Sequence, residues 1–454
     1  MAITRLSTIV VTLMVAVAAW GAGDDTETPK GITLTADEQA LVAGNNGFAF
    51  RLFQQARSQT ESVVLSPLSI TFALGMMNNG AAADSQTCRE ICQVLGFGEA
   101  GAGAINAFCH KMLTESGTLD ELTKVLIANN IYVNSYLGYR LMPAFTDKVV
   151  QNYEAVPETR DFTDGETLNV INKWASDHTG GMIEEALHPD EFDPMTISCL
   201  LNALYFKGEW THKFDAQLTQ EEPFNDFKTT VQMMQQDSEF YYADNDVFQS
   251  IILPYGNKAY QMNVYLPHEG KDIDDVLEFL KGNSWTAKNY GDRQVVIKLP
   301  RFEVTTDMRL ESVMAELGMP TAFTDGSAFT QFCETQDGIP HPVFIGLMKQ
   351  VAKIKLDEEG TEASAVTVIE AKETAVMDPV KFIANRPFLY IISEQSTGAI
   401  FFIGQYMGER VTSDIVPVRH HAAGDMRGCY DLQGRPASNS SKGLLIRQGQ
   451  KLMR

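Results

Sequence analysis

Apolar positions at helical and at alternating spacing divide this chain into elements. Leu41, Val42, Phe48, Leu52 and Phe53 share one face at helical spacing. Thr35, with Glu38 three residues on, is a capping-box signal for the start of that helix. Val63-Val64-Leu65 reads as a short strand, and Ser66-Pro67 after it as an N-cap with proline in the first turn. The helix so started runs to Met77, is apolar nearly all round, and is predicted to lie in the middle of the molecule. Further helices are predicted at residues 85–95, 168–174, 273–281 and 308–317. Strands are predicted at 124–133, 294–299 and 343–356. Residues 195–206 are almost continuously apolar, the pattern of a strand buried on both faces. Residues 388–392 and 400–403 flank Ser396-Thr397-Gly398 as a hairpin. No internal repeat is present, and no linker rich in Pro, Gly or Ser divides the chain before residue 408. One large mixed domain accounts for this better than several small ones.

One stretch behaves differently. From Glu358 to Met377 the chain alternates at a period of two, as extended backbone does. Thr361, Ala363, Ala365, Thr367, Ile369 and Ala371 are uncharged and mostly small. Glu362, Ser364, Val366, Val368, Glu370 and Lys372 take the other face. The run begins at Gly360 and ends near Asp378-Pro379. Periodicity alone fits two readings: an ordinary edge strand, or a surface loop able to become a strand.

Composition narrows the functional classes. A net charge of −22 argues against nucleic acid and anionic membrane as partners. Arg5, the apolar run from Ile9 to Ala19 and the small residues of Ala19-Trp20-Gly21 read as a signal peptide over residues 1–23, cleaved near Gly21 to Gly23. The run is too short to span a bilayer, so a secreted, extracellular protein is expected. Residues 24–34 read as a mobile lead-in, and residues 409–454 as a disordered tail. The tail holds eight Lys/Arg against four Asp/Glu and the only N-x-S/T sequon, at Asn439. The six cysteines, Cys88, Cys92, Cys109, Cys199, Cys333 and Cys429, fit buried thiols or disulfides of undetermined pairing. Cys88 and Cys92, one helical turn apart before Cys109-His110, match zinc-ligand spacing weakly. No nucleophile elbow, P-loop, H-E-x-x-H or dinucleotide fingerprint occurs. No catalytic residue, cofactor or metal is expected.

Several segments in order resemble the serpin family of protease inhibitors. They are Leu65-Ser66-Pro67-Leu68-Ser69-Ile70, Ile171-Asn172-Lys173-Trp174 with Thr179-Gly180-Gly181-Met182-Ile183, and Leu201 to Trp210. Leu299-Pro300-Arg301-Phe302 and Phe382 to Leu389 complete the series, which covers roughly residues 35–407. The resemblance implies an α+β fold over residues 35–408. It would have a large, mostly antiparallel five-stranded main sheet, further sheets, eight to nine helices and an exposed reactive-centre loop. It implies Glu358, Gly360, Thr361, Glu362, Ala363, Ser364 and Ala365 as the loop hinge. It places Ser66, Ser69, Asn172, Trp210, Arg301 and Gln350 in the regions called shutter and breach. Gln350 stands where many serpins have a histidine, and Arg301 with Glu358 where the family often has a salt bridge. By the family's spacing from Gly360, the resemblance implies a scissile bond at Thr374–Ala375, with Met377–Asp378 as the alternative. The implied role is a suicide-substrate inhibitor of an extracellular serine protease, elastase- or chymotrypsin-like. The loop, once cut, inserts into the main sheet and traps the acyl-enzyme. A non-inhibitory carrier, chaperone or storage serpin is the alternative. A monomer is expected, and heparin activation is disfavoured because residues 88–117 hold few basic side chains.

Overall fold

The computed structural model describes residues 30–226, 228–282, 287–361 and 379–408, and the short stretches 419–420, 429–431, 444–447 and 450–453. The signal-peptide reading, Glu362, Ala363, Ser364, Ala365, both scissile-bond readings and Asn439 lie outside the described residues.

The chain opens with α1 (Ala36–Ala56), β1 (Val63–Leu65), α2 (Pro67–Asn78), α3 (Gln86–Val94) and α4 (Gly101–Ser116). There follow β2 (Thr123–Asn134), β3 (Tyr139–Leu141), α5 (Pro143–Tyr153), β4 (Glu158–Arg160), α6 (Gly165–His178) and β5 (Ser198–Glu209). Next come β6 (Gln220–Phe224), β7 (Thr229–Asp244), β8 (Phe248–Tyr255), β9 (Tyr260–Pro267), α7 (Ile273–Gly282) and β10 (Gly291–Pro300). The order continues with β11 (Phe302–Arg309), α8 (Glu311–Leu317), α9 (Thr321–Thr324), β12 (Phe329–Thr335), β13 (Pro340–Val343), β14 (Lys349–Leu356) and β15 (Gly360–Thr361). The body closes with β16 (Val380–Ile383), β17 (Phe388–Glu394) and β18 (Ile400–Tyr406). Beyond it lie β19 (Arg419–His420), β20 (Cys429–Asp431), β21 (Leu444–Arg447) and β22 (Gln450–Met453).

The main sheet has the order β11-β14-β15-β5-β2-β4, and all its ladders are antiparallel except β2 with β4. Without the two-residue β15 it is five-stranded. A second sheet runs β1-β18-β17-β9-β8-β7-β10-β16, with β6 on β7. A third is β13-β12-β3, and a fourth joins β19 to β22. Helix α2 packs against both β5 and β18, so it sits between the two large sheets. Eleven of its twelve residues are buried, which is why its sequence shows no polar face.

Local signals act where they were read. Thr35 and Glu38 exchange both capping-box bonds. Ser66 accepts the Ser69 N–H at the head of α2, where Pro67 costs no hydrogen bond. Strand β5 is covered on both sides, Leu204 and Phe206 lying in the main core, and Cys199 and Leu201 in a smaller cluster with Ile171 of α6 and Leu187.

Five readings need correction. Residues 343–356 are not one strand: the Ile345 N–H is taken by the Ala322 carbonyl and the Met348 N–H by Glu311 Oε1, so no ladder forms across that bend. Met308 belongs to β11, opposite Gln350, rather than to a helix. Met195 lies outside β5 and is exposed. Of the lead-in, residues 30–34 are tied down: Ile32 is buried, its N–H donates to Ser396 Oγ, and the Thr33 carbonyl accepts from Lys111. The tail, read as lacking regular structure, carries β19 to β22 at its described residues. Apolar Leu444, Leu445 and Ile446 supply the strand pattern there.

Candidate functional site

The site lies where β14 turns back into the main sheet. A turn over residues 357–360 closes with the Asp357 N–H donating to the Gly360 carbonyl at 2.9 Å. The Asp357 carboxylate accepts the Glu359 N–H at 3.0 Å. Burial pushes that carboxyl up against this bond, so the turn holds an acid that favours its proton more than usual. Gly360 has φ 151°, and a Cβ there would come within 2.1 Å of the Gly208 carbonyl oxygen. Only glycine fits both the backbone conformation and the gap.

Beyond the turn, Thr361 is already a strand residue, paired with Leu356 on one side and Gly208 on the other. It is 1% exposed. Its hydroxyl shares a hydrogen bond of 2.7 Å with the phenol of Tyr255, which burial keeps protonated by pushing its pKa up. Thr361 thus points into the core, and Glu358 and Gly360 stand in the turn.

Trp210 and Arg301 frame the same corner. The Trp210 ring stacks on Tyr255 with centroids 4.4 Å apart, and its indole N–H donates to the Asp357 carbonyl at 3.0 Å. Its backbone N–H holds the Glu359 carbonyl at 2.8 Å. Glu358 is buried, accepts from the Thr219 hydroxyl at 2.6 Å, and lies 3.7 Å from the half-exposed Arg301. Lys213 bridges Glu209 of β5 and Glu359 of the turn at 2.8 and 2.7 Å. The turn is therefore fastened to the end of β5 by the indole and backbone hydrogen bonds of Trp210 and by one lysine.

Ser66, Ser69 and Gln350 form a second, buried set below it. The Ser66 N–H donates to Gln350 Oε1 at 3.1 Å, and Gln350 Nε2 donates to the Ser66 carbonyl at 2.9 Å. An amide fits this two-way pairing and carries no proton that titrates in the physiological range. Gln350→Ala is expected to leave the buried Ser66 N–H without a partner, the Ser66 carbonyl keeping the Ile70 N–H, lowering stability by about 1–3 kcal/mol in denaturant unfolding. Asn172 joins neither set. Its amide on α6 receives the Ala186 and Leu187 N–H groups at 3.0 and 2.9 Å and donates to the Leu187 carbonyl at 2.8 Å.

Between the two sets the main sheet is open. Among the described residues no ladder joins β14 to β5 directly; β15 alone bridges them, at one end. The slot is lined toward the core by Ser69, Ile70, Leu200, Met348 and Gln350. Toward α6 it is lined by Trp174, Leu187, Cys199, Leu201, Lys349 and Val351. A cleft with apolar walls flanked by two strand edges fits an added strand.

Sequence reasoning missed Tyr255, Thr219 and Lys213. Each lies at least 100 residues from the hinge, and none carries a local signal. Cys88, Cys92, Cys109, Cys199 and Cys333 are buried free thiols, and burial pushes the Cys199 thiol up to about 12. They act as small core hydrophobes. No group of three or more His, Cys, Asp or Glu among the described residues is arranged to hold a metal ion. On α4 the one lysine, Lys111, is engaged with Glu38 and the Thr33 carbonyl.

Comparison with known proteins gives a consistent result. The family model described as Serpin (serine protease inhibitor) matches residues 43–408. Serpin B6 of Pongo abelii is 32% identical over 382 residues, covering 81% of this chain and 98% of that protein. The solved structure of the thermophilic serpin tengpin in its native state matches with a TM-score of 0.72 at 24% identity, over 84% of this chain and 96% of that one. Human thyroxine-binding globulin in complex with its hormone matches with a TM-score of 0.71 at 23% identity, over 82% and 98%. At these identities the two structures speak for the fold alone.

Proposed function

Because the chain belongs to the serpin family, we propose that it is a secreted inhibitor that traps a serine protease by inserting its own cleaved loop. The observation that carries this reading is the open slot between β5 and β14, with Thr361 entering its top. Continuing the two registers of Thr361 down the slot sets Ala363, Ala365 and Thr367 opposite Ile354, Ala352 and Gln350 of β14, and Ile369 opposite Met348 just before that strand. The three β14 partners lie on the strand's inward face, and Met348 lines the cleft wall. Small, uncharged loop residues meet that demand, because an unpaired charge there costs several kcal/mol.

The same register turns Val366 and Val368 toward the wall formed by Leu201, Val351 and Leu187 beneath α6. Two apolar residues on the face that reads as polar then have a place to be buried. New ladder bonds and apolar burial make insertion downhill once the chain is cut. The protease supplies the nucleophile, and the inhibitor contributes no catalytic group. Cleavage at Thr374–Ala375 suits an elastase-like pocket better than a trypsin-like one.

The test is incubation with elastase-, chymotrypsin- and trypsin-like proteases. An SDS-stable complex is expected with at least one of the first two, and terminal sequencing of the released fragment identifies the bond. Clean cleavage without a complex would favour a carrier, chaperone or storage role instead.

A further inference from the structure

The end of the slot away from the hinge is crossed by the connection between α6 and β5. This strap is fixed on one side: Asn172 of α6 holds residues 186 and 187, and the Asn134 amide at the end of β2 donates to the Pro194 and Thr196 carbonyls at 2.7 and 2.9 Å. Between those anchors, Glu191 receives Lys349 Nζ at 2.5 Å. Lys349 is the first residue of β14, and its ammonium also meets Asp307 of β11 at 3.0 Å. The His188 ring lies 3.4 Å from Asp307 and 3.2 Å from Glu185, and the His188 N–H donates to Glu191. The Lys349 side chain is 4% exposed, with Leu347 and Val351 beside it in the cleft wall.

We infer that Lys349, with Glu191 and Asp307, is a lock that ties the strap to β14 and β11 and sets how readily the sheet parts. The strap belongs to the β2–β5–α6 side of the slot, and the lysine to the β14–β11 side. Among the described residues no ladder hydrogen bonds hold these two sides together here, and the ion cluster is a polar tie across the gap. A buried ammonium that loses one carboxylate keeps its desolvation cost without the compensating attraction. Removing one partner therefore loosens this end of the slot far more than a surface pair would. The lock's consequence for inhibition rests on the insertion reading, since it would govern when a strand can enter; its existence does not.

The test is amide hydrogen exchange on the full-length protein, comparing wild type with Glu191→Gln and Asp307→Asn, the second a milder change at a more exposed residue. In both variants, exchange at residues 198–201 and 349–353 is expected to rise at least about tenfold. Exchange in β17 and β18, in the other large sheet, is expected to stay within about twofold. Unchanged exchange beside the slot overturns the inference. An equal rise in β17 and β18 overturns it too, because it would mark general destabilisation. Failure to trap any protease would leave this exchange result standing and count against the insertion reading alone.

Discussion

Thr361→Arg is expected to abolish the SDS-stable complex and leave an ordinary substrate, cut in its loop with no protease retained. Thr361 is 1% exposed, bonded to the Tyr255 hydroxyl, and held between Leu356 and Gly208. An arginine there has neither room nor a free counter-charge: Glu358 is already bonded to Thr219 and set against Arg301, and Glu359 is paired with Lys213. Keeping its charge in the sheet costs several kcal/mol, which the intact protein escapes by releasing residue 361 to solvent and the inserted form cannot. Each 1.4 kcal/mol is a factor of ten, so the balance between trapping and simple turnover shifts by about a thousandfold or more. Glu362→Arg, one residue on and on the opposite face by period, is expected to change the number of inhibitor molecules consumed per protease by less than about threefold. Equal loss in both variants would show that charge near the hinge matters and direction does not.

That contrast depends on a feature visible in the sequence. The period of two from Thr361 onward gave the inward face before any register was known, and the pairing of Thr361 with Leu356 and Gly208 places it on the core side. Capping signals were equally readable, at Thr35 with Glu38 and at Ser66-Pro67, because each acts within one turn of helix. The long strand β7 was not. It pairs with β6 at its start, with β10 over its middle and with β8 at its end. Its burial changes character along the strand, and no single alternation survives. Helix α4 escaped as well, since Gly101 and Gly103 open it without a capping side chain.

The site was legible residue by residue but not as an arrangement. Trp210 and Asp357 are 147 positions apart and share a hydrogen bond. Lys349 and Glu191 are separated by 158. Long-range pairs leave no periodic trace in a single chain. The resemblance grouped Ser66, Gln350 and Asn172; Ser66 and Gln350 hydrogen-bond to each other, whereas the Asn172 amide holds the turn after α6. The split of residues 343–356 was hidden for a related reason. Its apolar run continues through the bend, and only the bonds from Ile345 to Ala322 and from Met348 to Glu311 stop the ladder.

The central claim is that the intact molecule stores free energy which a cut loop releases by filling the slot beside β5. Roughly ten new ladder bonds at about 1 kcal/mol each, and about 2 °C per kcal/mol for a domain of this size class, put the gain near 20 °C in thermal midpoint. Apolar burial of Val366, Val368 and Ile369 adds to it. The most direct measurement is therefore the melting of the protein before and after a single nick at Thr374–Ala375, both fragments being retained. A rise of tens of degrees is the result this account requires; a nicked protein that melts where the intact one does would contradict it.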